Sequence, residues 1–232
     1  EYFERVDGGT GTDSLRVVGV GEWLYLWNYP YNRIQGIEEI QLTDEGTQFF
    51  GVTRQDVLLA SDESNTLTVH GTAEDFVLID VGWSITGSET INSQLYHVIV
   101  AGEAMLKVDA EMTIEVAVPP NGAVHRFRQG SGSVQLVSDG EVEFEAPSGT
   151  QLNLDIVGSG ADETFVIDFS DGNPLETVSL SLVGSGHATS DGDQLKLTGY
   201  EGESLVIYPV EADGGVVEID DVLFYFYGIE GL

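Results

Sequence analysis

The strongest constraint on this chain is a two-residue hydrophobic period that never runs far. Apolar and polar residues alternate over short stretches, and Gly, Asp, Asn, Ser or Pro then breaks the pattern. In the first half, Leu15–Val18, Trp23–Trp27, Ile37–Leu42, Thr66–His70, Phe76–Asp80, Leu95–Val100, Met105–Val108 and Ile114–Val118 are predicted strands. In the second half, Val134–Val137, Val142–Ala146, Leu152–Val157, Phe165–Phe169, Val178–Val183, Gln194–Thr198, Leu205–Tyr208 and Val216–Ile219 follow the same pattern. Only Thr53–Ala60 reads as a helix, with Thr53 and Asp56 spaced like a capping box. Glycines, 29 in all, fall singly at stretch ends, where turns need positive φ. The expected class is all-β.

Pro119-Pro120-Asn121-Gly122 is the best candidate boundary. Two prolines remove donors that a continuing strand needs, and Asn-Gly favours a tight turn. The expected units are residues 1–118 and 119–232. Before the boundary, connections are long and hairpin signals scarce, which predicts parallel β-solenoid-like rungs. After it, Asp139-Gly140 between alternating stretches predicts an antiparallel hairpin with Glu141, Glu143 and Glu145 on its solvent face. The remainder is expected to be β-rich, antiparallel or solenoid. Two β-sandwich domains are the alternative.

The chain also echoes itself. Asp13-Ser-Leu-Arg-Val-Val-Gly19 and Asp193-Gln-Leu-Lys-Leu-Thr-Gly199 share one pattern, and each precedes a Gly-Ile-Glu, at Gly36–Glu38 and Gly228–Glu230. Tandem modular construction is the expectation.

Charge narrows the function. Eight Lys and Arg stand against 40 Asp and Glu among 232 residues, a formal net charge of −32. A polyanion such as nucleic acid finds almost no cations to dock on, and anionic lipid is disfavoured for the same reason. No apolar run approaches the roughly 18 residues needed to cross a bilayer, so no membrane insertion is expected. Absence of cysteine excludes disulfides and thiolate metal sites. Folding crowds the carboxylates together, and salt, bound cations or an elongated surface would relieve them. All three suit an extracellular setting, at a cell surface or in a secreted matrix, and calcium is the natural cation for oxygen ligands. The opposing reading is that the acids only solvate an outer face. The chain opens on Glu1 without a signal peptide, which reads as a processed or excised piece.

Two local features are candidate sites. Gly8-Gly9-Thr10-Gly11-Thr12-Asp13-Ser14-Leu15 fits the calcium-binding nonapeptide, in which Gly9 and Gly11 turn carbonyls toward the ion and Asp13 supplies a carboxylate. Looser echoes put Asp162, Asp191 and Asp193 among the candidate ligands; a glycine-rich turn is the plainer reading. In the second feature, Trp23, Tyr25, Trp27, Tyr29 and Tyr31 occupy every second position, with Leu24 and Leu26 between. A strand would present the leucines to the core and a row of rings to the other side. Such a row suits burial within the chain, contact with a neighbouring module or subunit, or stacking on surface glycans. Phe224-Tyr225-Phe226-Tyr227 is a second aromatic cluster.

Ile34–Thr43, Gln55-Asp-Val-Leu58, Ser64–Gly71, Asp75-Phe-Val-Leu78, Gly82-Trp83, Tyr96-His-Val98 and Ala104–Asp109 together form a pattern. It resembles modules of giant secreted bacterial surface proteins of the RTX-adhesin type, over about the first half of the chain. That resemblance implies type I secretion and acidic, calcium-dependent tandem β-repeats. The stretch from Asp168 to Pro174 and on through Gly192-Asp-Gln-Leu195 is similar to repeats of very large planctomycete-like surface proteins. The chain departs from these by lacking a tandem nonapeptide block and by its aromatic richness.

No nucleophile elbow, zinc-protease helix or phosphate loop is present, and His70, His97, His125 and His187 are scattered. No catalytic residue is assigned, and no enzyme is expected. The expected role is an extracellular structural or adhesive segment, such as part of a fibre or biofilm matrix. It would act through contacts between modules or copies and be stabilised by calcium. The alternative is a carbohydrate-binding module using the aromatic face.

Overall fold

The computed structural model describes residues 5–30, 33–42, 46–61, 64–119, 123–184, 192–202, 205–211, 214–219, 222–229 and 231. The fold is all-β, and among the described residues its single α-helix is Arg54–Ala60. That helix starts where its sequence says it should. Thr53 accepts the Asp56 amide, and the Asp56 carboxylate accepts the Thr53 amide in return. Two compact units divide the chain, Glu1–Ile114 and Glu115–Leu232. Of the proline boundary, Pro120, Asn121 and Gly122 lie outside the described residues.

The first unit is built on parallel ladders. In one, Ser14–Val17, Glu39–Leu42, Thr66–His70 and Ala104–Asp109 lie side by side, with Ser14 opposite Glu39, Glu39 opposite Thr68 and Thr66 opposite Met105. In another, Trp23–Tyr25, Phe49–Val52 and Phe76–Ile79 place Trp23, Phe49 and Phe76 in one row. Register stacks like on like: Ile40 beside Val69, Leu67 beside Leu106, Phe50 beside Val77 and Val52 beside Ile79, every one of them fully buried. Each such side chain contributes about 1.5–3 kcal/mol relative to exposure. Trp83–Ile91 and Gln94–Ala101 form an antiparallel hairpin through Asn92 and Ser93, both at positive φ, and Ala104–Asp109 folds back antiparallel onto Gln94–Ala101. The first half therefore contains hairpins as well as parallel ladders. Asn-Ser carries no glycine, so the usual hairpin signal is missing from the sequence there.

The second unit also mixes the two. Val124–Gln129, Thr164–Asp168 and Gln194–Thr198 form one parallel ladder; Leu152–Val157, Val178–Val183 and Val222–Tyr227 form another. Ser133–Ser138 and Glu141–Pro147 make the hairpin centred on Asp139 and Gly140, with a register shift at Leu136/Val137. A second hairpin, Leu205–Glu211 with Gly214–Ile219, leads antiparallel into Val222–Tyr227.

One corner recurs in both units. The amides of Gly8, Gly158 and Gly184 donate to the carbonyls of Gln35, Val183 and Tyr227 at 3.0, 2.7 and 2.7 Å. A side chain on Gly8 would collide with the Gly36 carbonyl and Asp13, and one on Gly184 with the Gly228 carbonyl and Asp193. Beyond the corner, the Asp13 carbonyl accepts the Glu39 amide and the Asp193 carbonyl accepts the Gly231 amide, while Ser14–Glu39 and Gln194–Gly231 pair in parallel. The sequence echo is thus one turn built twice; Glu230 lies outside the described residues.

Carboxylates also hold these corners. Glu38 Oε2 accepts the Asp13 amide at 3.0 Å, Asp75 Oδ1 the Gln48 amide at 2.9 Å, and Asp193 Oδ1 the Glu163 amide at 2.8 Å. In each, a side chain just before one strand ties the residue just before a neighbouring parallel strand. Asp75 and Asp193 are fully buried, so part of the acidity is internal architecture rather than a solvated face.

Candidate functional site

The aromatic edge of the first unit departs from the expected row. Trp23–Tyr25 is a strand, but Leu26–Asn28 turns into a 3-10 helix, so Trp27 leaves the strand. Leu24 and Leu26 are both buried. Tyr29 is half-buried and lines a small recess with Leu26, Ile34 and Leu59. Tyr31 lies outside the described residues.

In place of a row along one strand, the rings stack across strands. Trp23 stacks on Phe49 at 4.4 Å, and Phe49 on Phe76 at 5.1 Å. These distances follow from the spacing of hydrogen-bonded strands, near 4.8 Å. Tyr25 stacks on Trp27 at 4.9 Å and meets Trp23 edge-on at 5.6 Å. Both Tyr25 and Trp27 lie over Gly51, where any side chain would collide with their rings. Phe49, Gly51 and Phe76 are members of the cluster that reading along the chain misses, because alternation says nothing about which distant strand lies alongside. Trp23 is the outermost ring and remains 60% exposed. Its strand ends the ladder, pairing on one side only among the described residues.

The second aromatic cluster splits cleanly. Phe224 and Phe226 are buried, whereas Tyr225 and Tyr227 are exposed. Two strands away, Leu205, Val206, Ile207 and Tyr208 are 38–48% exposed on both sides of a strand that is an edge among the described residues. Tyr208 donates to Glu218 Oε2 at 2.8 Å, which engages the acid on that face.

Among the described residues, the candidate calcium ligands lie in strand-end loops. Gly9 and Gly11 hold positive φ and are exposed, as a glycine turn requires. The Gly9 amide donates to Asp7, which pairs with Arg5 at 2.7 Å. Asp13 is half-buried, and its carbonyl accepts two amides, from Glu38 and Glu39. Asp193 spends Oδ1 on the Glu163 amide, Asp162 is half-buried, and Asp191 lies outside the described residues. Among the described residues, no three His, Asp or Glu side chains converge as metal ligands.

His70 Nδ1 lies 2.6 Å from the Tyr96 hydroxyl, His125 Nδ1 lies 2.7 Å from Ser138 Oγ, and His187 is outside the described residues. Burial pushes the His125 pKa down, against opposing pulls from Glu163 and Asp139. Burial works against ionising Asp168, but hydrogen bonds from Ser170 and the Arg126 guanidinium at 2.5 Å override it and hold the carboxyl at about 2. In the second unit, burial and then Asp155 push Glu115 up to about 7, and burial lifts Asp155 to about 6 against a Ser181 hydrogen bond.

No protein-family model, curated protein sequence or solved structure matches this chain.

Proposed function

We propose that the chain is an extracellular structural or adhesive segment whose parallel ladders are rungs of a β-solenoid. It works through contacts with neighbouring modules or further copies, at a cell surface or in a secreted fibre or matrix. One observation carries the reading: four consecutive uncharged, exposed side chains, Leu205 to Tyr208, sit on an edge strand of a chain with 40 acids. Soluble proteins blunt such edges with charge, because an open strand templates another. The Trp23 end of the aromatic ladder, on another one-sided strand, supports the same reading. Divalent cations, calcium above all, offset the carboxylate charge. Light scattering in calcium and in chelator tests this. Wild type is expected to assemble in calcium, and Ile207→Lys to remain monomeric with unchanged melting. A wild-type monomer of equal stability in both buffers would overturn the proposal.

A second reading, glycan binding at the aromatic edge, rests on the exposed indole of Trp23. It requires that Trp23→Ala abolish binding on a glycan array while Ile207→Lys leaves it intact.

A further inference from the structure

The second unit carries a cleft bordered by Phe169, Tyr200, Glu201 and Ile219. Its volume is about 490 Å³, and two half-buried rings, Phe169 and Tyr200, line it edge to face at 5.5 Å and 66°. The turn between them is firmly held. The Phe169 amide donates to the Thr198 carbonyl at 2.8 Å, and the Gly172 amide to the Phe169 carbonyl at 3.2 Å. Asp168, anchored by Arg126, accepts the Ser170 amide at 3.0 Å. The cleft is therefore built in advance of any ligand, which lowers the entropy cost of binding.

Its chemistry is selective. Gly199 sits at φ +69, and Ser170 occupies the space where a side chain would project, so the backbone borders the cleft uncovered. Asn173 uses its oxygen to accept the Leu175 amide at 2.9 Å, which makes its NH₂ the donor end. Among the described residues, Glu201 is the one formal charge on the lining, and no Lys or Arg contributes. A phosphate, sulfate or uronate would meet repulsion with no compensating cation. A purely apolar ligand would strand the polar groups. A pyranose satisfies both halves, with C–H faces against rings and hydroxyls toward carboxylate, amide and backbone. A second depression of about 190 Å³ shares Gly172 and Asn173 with the first and adds Gln129 and Glu176. Both border the turn at Gly172 and Asn173, and the larger one is itself an open groove.

We propose that this groove binds a neutral oligosaccharide, stacked on Tyr200 and Phe169 and hydrogen-bonded by Glu201 and Asn173. Trp23 takes no part in this site.

The test is titration calorimetry on the full chain with cellotetraose, xylotetraose, mannotetraose and tetra-N-acetylchitotetraose, with tetragalacturonate as the anionic control. At least one neutral probe is expected to saturate. Tyr200→Ala should weaken it by about tenfold, the scale of one lost stacking ring. Glu201→Gln should weaken it several-fold, and Trp23→Ala not at all. Melting curves show whether each variant is folded; if Tyr200→Ala is not, Glu201→Gln decides alone. Three results would overturn the proposal: no neutral probe saturates, tetragalacturonate binds best, or binding survives at Tyr200 and Glu201 but is lost with Trp23→Ala.

Discussion

Glu115→Gln should stabilise this protein at alkaline pH and leave it unchanged in acid. Glu115 belongs to the strand Thr113–Ala117, beside Leu152–Val157, and the neighbouring backbone bond from the Val118 amide to the Val157 carbonyl is 3.0 Å. Burial first, then Asp155, raises its pKa from 4.5 to about 7. A carboxyl raised in the folded state favours folding while protonated. Its contribution is complete below pH 4.5 and is lost as pH climbs through 7. The gap between the two values corresponds to about 3 kcal/mol of destabilisation at pH 8. Glutamine keeps the shape without the charge, so the variant should recover up to that amount. In a chain of this size it corresponds to a rise of about 5–10 °C in Tm. The assay is thermal unfolding followed by circular dichroism, in chelator, at pH 8 and pH 4. Chelator matters because a cation between Glu115 and Asp155 would remove the same repulsion. A variant no more stable than wild type at pH 8, or equally stabilised at both pH values, would refute the reasoning.

Two further substitutions probe the architecture. Gly51→Ala drives a methyl group into the rings of Tyr25 and Trp27, and is expected to cost about 1–3 kcal/mol in urea unfolding while altering tryptophan fluorescence. Unchanged emission would mean the rings lie elsewhere. Asp193→Ala strands the buried Glu163 amide and should cost about 1–3 kcal/mol equally in calcium and chelator, whereas a loss confined to calcium would make Asp193 a ligand after all.

Period-two alternation locates strands well where both neighbours are ordinary. Thr66–His70, Leu152–Val157, Val178–Val183 and Gln194–Thr198 begin and end where the pattern does. It misses Phe49–Val52, where Gly51 interrupts the apolar run to make room for rings, and Trp83–Ile91, whose end loses alternation as it becomes exposed. Which parallel strand lies beside which is not legible in the sequence, since Trp23, Phe49 and Phe76 meet only after long connections have brought their strands into register. The aromatic row failed for a local reason. Tyr25 and Trp27 do share a stack, but a 3-10 turn intervenes and the stack forms over Gly51 rather than along a strand. The repeated Asp-x-Leu pattern was visible, yet its meaning was not, because the glycine that each aspartate packs against stands several residues earlier.

The corner acids change what the net charge of −32 implies. Glu38, Asp75 and Asp193 each accept a backbone amide from a neighbouring corner, a bond stronger for an ionised acceptor than for a neutral one. Protonating Asp75 or Asp193 would weaken corners that aliphatic stacks alone do not align. Glu115 and Asp155 behave in the opposite sense, since burial penalises their charge. Acid therefore relieves this half-buried pair. The same division bears on cations. A corner carboxylate already engaged with an amide gains little from calcium, whereas exposed acids such as Glu74 and Glu141 have only solvent or ions to screen them. Salt of either valence should then act chiefly on approach between copies, where bare carboxylates face one another, and less on the folding of a single chain.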